Sequence, residues 1–140
     1  MLKGIPSILS PELLKIMMEM GHGDEIVLAD GNFPVFAHPE KVVRLDGHGI
    51  PEIMEAILTF LPLDPYVKYP VILMEVLPDD PYVPVIWDSY RKIVAAHEPK
   101  AKEEAINKQA FYARSAKAYA LVTTSEKALY ANIILKKGVI

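Results

Sequence analysis

The feature that most constrains this chain is how its apolar residues are distributed. They fall into short runs of two alternating kinds, one with helical spacing and one continuous and β-branched. Ser10-Pro11-Glu12 supplies a capping serine, a proline at the first helical position and an acid in the first turn, ahead of Leu13, Leu14, Ile16, Met17 and Met20. Gly21 then provides a helix stop. Glu25-Ile26-Val27-Leu28-Ala29 reads as a buried strand running into the turn cluster Asp30-Gly31-Asn32. Val42 to Leu45 is a second short strand, and Pro51 to Leu61 places Ile53, Met54, Ile57, Leu58 and Leu61 on one helical stripe. Further along, the pattern predicts a strand over 71–76, helices over 85–96 and 109–117, and strands over 119–123 and 132–135. Helices alternating with apolar strands imply a single-domain α/β fold, a mixed β-sheet covered by helices.

Six of the twelve prolines lie at 62, 65, 70, 78, 81 and 84, interleaved with Tyr66, Tyr69 and Tyr82. This segment is too apolar for disorder and reads as rigid loop with no domain boundary. One domain therefore covers residues 1–140.

Composition narrows the chemistry. Cysteine is absent, which removes disulfides, thiolate nucleophiles and thiolate metal sites. A net charge of −3 with no basic block longer than Lys136-Lys137 argues against nucleic acid and anionic membranes as partners. Mean hydropathy is +0.19, yet no run approaches the roughly 18 apolar residues of a membrane helix. The apolar surplus is expected at contacts between copies of the chain, with 62–84 as one candidate. Met1 to Ser10 lacks the pattern of a secretory signal, so a cytoplasmic location is expected.

Glycine-rich phosphate loops, a nucleophile-elbow serine and a His-Glu-x-x-His pair are all missing. His22, His38, His48 and His97 have no metal-ligand spacing, and Asp79-Asp80 reads as a solvated turn. What remains is Gly21-His22-Gly23-Asp24-Glu25 ahead of one strand and Asp30 after it. His22 is either an exposed loop residue or a proton-transfer group with Asp30 as a second polar contact. The strand between them keeps the two apart within one subunit unless the loop folds back or another copy contributes. Tyr130 and Asn132, two apart where a strand enters a buried sheet, share a face and are either part of that strand's start or an edge that binds a hydroxyl group. Lys108 and Tyr112 share a helical face, either as surface lysine over packed tyrosine or as part of a site.

Several runs together resemble the fucose mutarotase and ribose pyranase family over nearly the whole chain. They are Ser10 to Leu14, Met20 to Ile26, Ala29 to Pro34, Leu63 to Val67, Ala110 to Tyr112 and Tyr130 to Val139. Gly-His-Gly-Asp-Glu, Phe33-Pro34 and the Lys-Lys-Gly ending are closer to the fucose mutarotase branch, whereas Tyr-Ala-Asn-Ile-Ile-Leu is common to both. The resemblance implies interconversion of the anomers of a free sugar, L-fucose first, without cofactor or metal. It also implies a ring-like homo-oligomer, a decamer of two stacked pentamers. It assigns His22, with Tyr130 and Tyr112, to proton transfer, and Asp30, Asp64, Lys108 and Asn132 to substrate binding. Two positions depart from the pattern: Lys108 stands where arginine or histidine is usual, losing the planar fork that grips two oxygens, and Asn32 replaces a histidine of some bacterial members. A ribose pyranase and a non-catalytic sugar-binding accessory protein are the alternatives.

Overall fold

The computed structural model describes residues 1–35 and 41–140; His38 lies outside them. Four helices and six strands follow one another as α1 (Pro11–Glu19), β1 (Glu25–Ala29), β2 (Val42–Leu45), α2 (Ile50–Leu58), β3 (Val71–Met74), α3 (Ile86–His97), β4 (Glu103–Ile106), α4 (Lys108–Ala116), β5 (Ala120–Thr124) and β6 (Ile133–Lys136). The strands form one mixed sheet in the order β2-β5-β1-β6-β3-β4. β6 is antiparallel to both β1 and β3, and every other pairing is parallel. Five strands therefore end at the same edge, where β6 begins. This is the α/β sheet covered by helices that the alternation implied.

Local chemistry sets the helix ends. The Ser10 hydroxyl accepts the Leu13 N–H at 3.2 Å, and Pro11 fills the first helical position, where a missing N–H costs nothing. At the other end the Lys137 ammonium donates to the carbonyls of Met17 and Met20, a cation on the negative pole of the helix. Asn107 caps α4 by accepting the Ala110 N–H at 2.9 Å.

Strand alternation sorts the core into two layers. Ile26 and Leu28 face the packing of α1, α2 and α3, which includes Leu13, Ile53, Met54, Ile57 and Tyr90. Val27 and Ala29 face the other side, where Phe111 of α4 and Phe33 cover Ile72, Leu121 and Ile134. Each fully buried aliphatic side chain contributes about 1.5–3 kcal/mol, so helix docking rather than propensity holds these helices of nine to twelve residues.

Most predicted elements lie within a few residues of the observed ones. β4 is the exception, because Glu103-Glu104-Ala105-Ile106 is an edge strand whose acidic residues carry no apolar run. α2 stops at Leu58 rather than Leu61, and the Thr59 hydroxyl donates to the Glu55 carbonyl at the turn that leads to Pro62.

Candidate functional site

The common edge where five strands end is where α/β sheets bind ligands, and a cavity of about 250 Å³ opens there. It is just below the roughly 300–1,000 Å³ usual for drug-sized ligands, the size class of one small molecule. Asp30 leaves the end of β1 and Asn132 stands at the approach to β6. The pairing of Leu28 with Ile133 sets them side by side. The Asn132 carbonyl accepts the Asp30 N–H at 2.7 Å, and its amide donates to the Asp30 carboxylate at 3.1 Å. Asn132 is 5% exposed, so its side chain is fixed in one orientation, with one amide hydrogen left for a ligand. Burial pushes the Asp30 carboxyl above the usual carboxylate range, an effect partly offset by the Asn32 N–H and the Asn132 amide.

α4 brings Lys108 and Tyr112 to the same cavity. The Lys108 ammonium sits 5.7 Å from the centre of the Tyr112 ring, and Phe33 meets that ring edge-on at 5.4 Å. Burial, and then the Asp30 charge, push the Tyr112 phenol up, so it holds its proton. Both side chains line the cavity.

Tyr130 reaches the cavity for a reason other than strand alternation. Its φ is 56°, in the left-handed region, and β6 begins only at Ile133. Such a conformation persists in a non-glycine residue when neighbours over-determine it. Here the Trp87 indole donates to the Tyr130 carbonyl at 2.8 Å, and the buried Tyr90 hydroxyl donates to the Ala131 carbonyl at 2.6 Å. α3 thereby clamps the segment from below.

Asp79-Asp80 does stand in a turn, where the Asp80 N–H donates to the Leu77 carbonyl at 3.0 Å, but the Asp80 carboxylate also lines the cavity. That carboxylate accepts the Tyr130 hydroxyl at 2.6 Å and the Tyr82 N–H at 2.9 Å, bonds that hold it below the usual carboxylate range. Fifty residues separate Asp80 from Tyr130, and no local signal in the sequence links them. The Trp87 contact was missed for the same reason.

His22 and Asp64 lie elsewhere. His22 precedes β1 and Asp64 precedes β3, so both stand at the opposite edge of the sheet, and β1 alone spans roughly 17 Å at 3.3 Å per residue. There the His22 imidazole Nε2 is 3.0 Å from an Asp64 carboxylate oxygen, which also accepts the Tyr66 N–H at 3.0 Å. The Tyr66 ring lies 5.6 Å from the imidazole. Asp64 is 3% exposed while His22 is 45% exposed, so a buried carboxylate orients a histidine that faces outward. Burial alone would raise the Asp64 carboxyl, but the hydrogen bonds from Tyr66 and His22 outweigh it and hold it low. The loop is tied down by Gly23, at φ +88°, whose N–H donates to the Lys137 carbonyl at 2.8 Å.

The structure therefore brings Asp30, Lys108, Tyr112, Tyr130 and Asn132 into one cavity and His22 and Asp64 into a second cluster. Among the described residues no group of three or more histidines and carboxylates could hold a metal ion, and no helix is long and apolar enough to cross a membrane. A larger hollow of about 400 Å³ beside β4 is lined by Arg91 and Glu103, which already pair with each other, and has few other polar groups.

The profile of the RbsD / FucU transport protein family matches residues 3–140. Fucose mutarotase of Bos taurus is 49% identical over 148 residues, spanning 99% of this chain and 94% of the relative. L-fucose mutarotase of Actinobacillus pleuropneumoniae is 44% identical over 140 residues, spanning 99% and 97%. The crystal structure of the fucose mutarotase from Streptococcus pneumoniae in complex with L-fucose superposes with a TM-score of 0.93 at 50% identity, covering 99% of both chains. By a match over nearly all its length, in sequence and in fold, this chain belongs to the RbsD / FucU transport protein family.

Proposed function

We propose that this protein is an isomerase that interconverts the α and β anomers of L-fucose. The observation that carries this reading is the small cavity at the carboxyl edge of the sheet, in a chain half identical to a fucose mutarotase seen with L-fucose bound. Anomer exchange removes the proton of the anomeric hydroxyl, protonates the ring oxygen, opens the ring, rotates one bond and reverses the sequence. Only proton transfer and hydroxyl binding are required.

The residues divide accordingly. Asp30, Lys108 and Asn132 bind hydroxyls around the cavity, and Tyr112 or Tyr130 relays the second proton. His22 is the proton shuttle, and Asp64, expected among the substrate-binding residues, is 3% exposed and instead holds the imidazole in place. Because β1 separates His22 from the cavity, the shuttle is supplied by a neighbouring copy of the chain. The apolar side chains Leu77, Val83, Val85 and Leu129, 50–75% exposed near the cavity, and Tyr66 and Val67 beside His22, support such a contact between copies. The assembly is a closed ring-like homo-oligomer, two stacked pentamers, working in the cytoplasm.

Magnetisation exchange between the α and β anomeric protons of L-fucose tests the activity. Faster exchange with protein than in buffer alone is the expected result. No acceleration overturns the enzyme reading and leaves a sugar-binding protein, while acceleration confined to D-ribose pyranose–furanose exchange makes it a pyranase.

A further inference from the structure

Asp80 reaches the cavity from the stretch between β3 and α3, and its two carboxylate oxygens have different partners. One accepts the Tyr82 N–H at 2.9 Å, closing a turn around Pro81, and the other accepts the Tyr130 hydroxyl at 2.6 Å. The Tyr82 ring stacks on the Tyr130 ring at 5.9 Å, and Trp87 holds the Tyr130 backbone, so the phenol has little freedom to swing away. A tyrosine hydroxyl has one proton and two acceptor lone pairs. The proton goes to Asp80, and the Leu77 N–H approaches the oxygen at 3.4 Å. What Tyr130 offers the cavity is then a lone pair. Tyr112, by contrast, has no hydrogen-bond partner on its hydroxyl among the described residues and keeps its proton to give.

We propose that Asp80 is a positioning residue for the reaction: by taking the only proton of Tyr130 it makes that phenol an obligate hydrogen-bond acceptor for a sugar hydroxyl and leaves proton donation to another group. The inference rests on the cavity being the sugar site. It also assigns different parts to two tyrosines that the inventory of the site treats alike.

Asp80→Asn is nearly isosteric and reverses the polarity. The Tyr82 N–H retains the single amide oxygen, the amide nitrogen takes the place facing Tyr130 and donates, and the phenol must turn its proton into the cavity. KM and kcat for anomer exchange of L-fucose are measured by NMR in wild type, Asp80→Asn, Tyr130→Phe and the double variant. A donor set against a sugar donor is worse than a deleted hydroxyl. Asp80→Asn should therefore lower kcat/KM on the order of 10–100-fold, below Tyr130→Phe, and adding Tyr130→Phe should restore the double variant to the level of Tyr130→Phe alone. Recovery on a second substitution cannot come from a misfolded parent. If Asp80→Asn stays within about twofold of an active wild type, or if the two losses simply multiply, the proposal is wrong. A wild type without acceleration would remove the sugar reading and this one together.

Discussion

Replacing Gly138 by alanine tests whether the His22–Asp64 cluster depends on backbone packing behind it. A Cβ built at Gly138 would lie 2.5 Å from the Leu63 carbonyl oxygen, 2.7 Å from the Asp64 Cα and 2.8 Å from the Leu63 carbonyl carbon, all backbone atoms that cannot swing aside. The strip between residues 62–64 and 136–138 must open to admit the methyl group. Two hydrogen bonds span that strip, Gly138 N–H to the Pro62 carbonyl at 2.8 Å and Asp64 N–H to the Lys136 carbonyl at 3.0 Å. Losing both at about 1 kcal/mol each, with overpacking of about 1–3 kcal/mol, gives a destabilisation of about 3–5 kcal/mol. For a chain of this length, roughly 3 °C per kcal/mol translates that into a fall in Tm of about 9–15 °C. Thermal unfolding of wild type and Gly138→Ala at the same protein concentration measures it. The displaced segment carries Asp64, so L-fucose exchange at 25 °C should fall even in the folded fraction. A Tm within about 2 °C of wild type, with unchanged exchange, would refute the claim that this backbone approach positions the histidine.

His22→Ala should lower the anomer exchange rate by about 10²–10⁴-fold and the stability by about 1 kcal/mol, since the half-exposed imidazole packs against Tyr66 and its loss leaves the buried Asp64 carboxylate one hydrogen bond short; an unchanged rate would transfer the shuttle to a tyrosine. The Asp64 carboxyl is held below its ordinary value of 3.8, so the ionised form stabilises the fold above that pH and the contribution disappears as pH falls through the lowered value. Asp64→Asn should thus be less stable than wild type by about 1–2 kcal/mol at pH 7, with the gap closing below about pH 4, and urea midpoints across pH 3–7 measure it; a gap that does not narrow in acid contradicts the ionised assignment. Light scattering should return a multiple of the 15.6 kDa chain mass, and a monomer mass would defeat the assignment of His22 to a neighbouring copy's cavity.

Where sequence reasoning worked, a local physical signal existed. Ser10-Pro11-Glu12 declares a helix start by itself, and the short β-branched apolar run 26–29, closed by the turn residues 30–32, reads as a strand buried on both faces. Separation of His22 from Asp30 followed from strand length alone. The failures share a cause, because each depended on a partner distant in sequence. Glu103-Glu104 becomes a strand because β3 offers an edge, with Arg91 and Arg114 beside the two carboxylates. Tyr130 and Asn132 do meet the same cavity, but through a left-handed residue clamped by α3 rather than through strand alternation. Asp80 sits among prolines and acids that resemble a solvated turn, and only the tertiary fold sets it against Tyr130.

The placement of β6 has a bearing on how the molecule is made. β1 and β3 never touch as strands, so the group β2-β5-β1 and the group β3-β4 are joined in the sheet only through residues 133–136. These are translated last of the six strands. β5, which joins β1 to β2, immediately precedes β6 in the chain, so both joining strands are made late, and the Asp30–Asn132 pair cannot form until β6 lies between β1 and β3. Docking of β6 is thus what assembles the cavity: a chain cut before residue 133 would keep the sequence of all four helices and lose the strand that joins the two parts of the sheet.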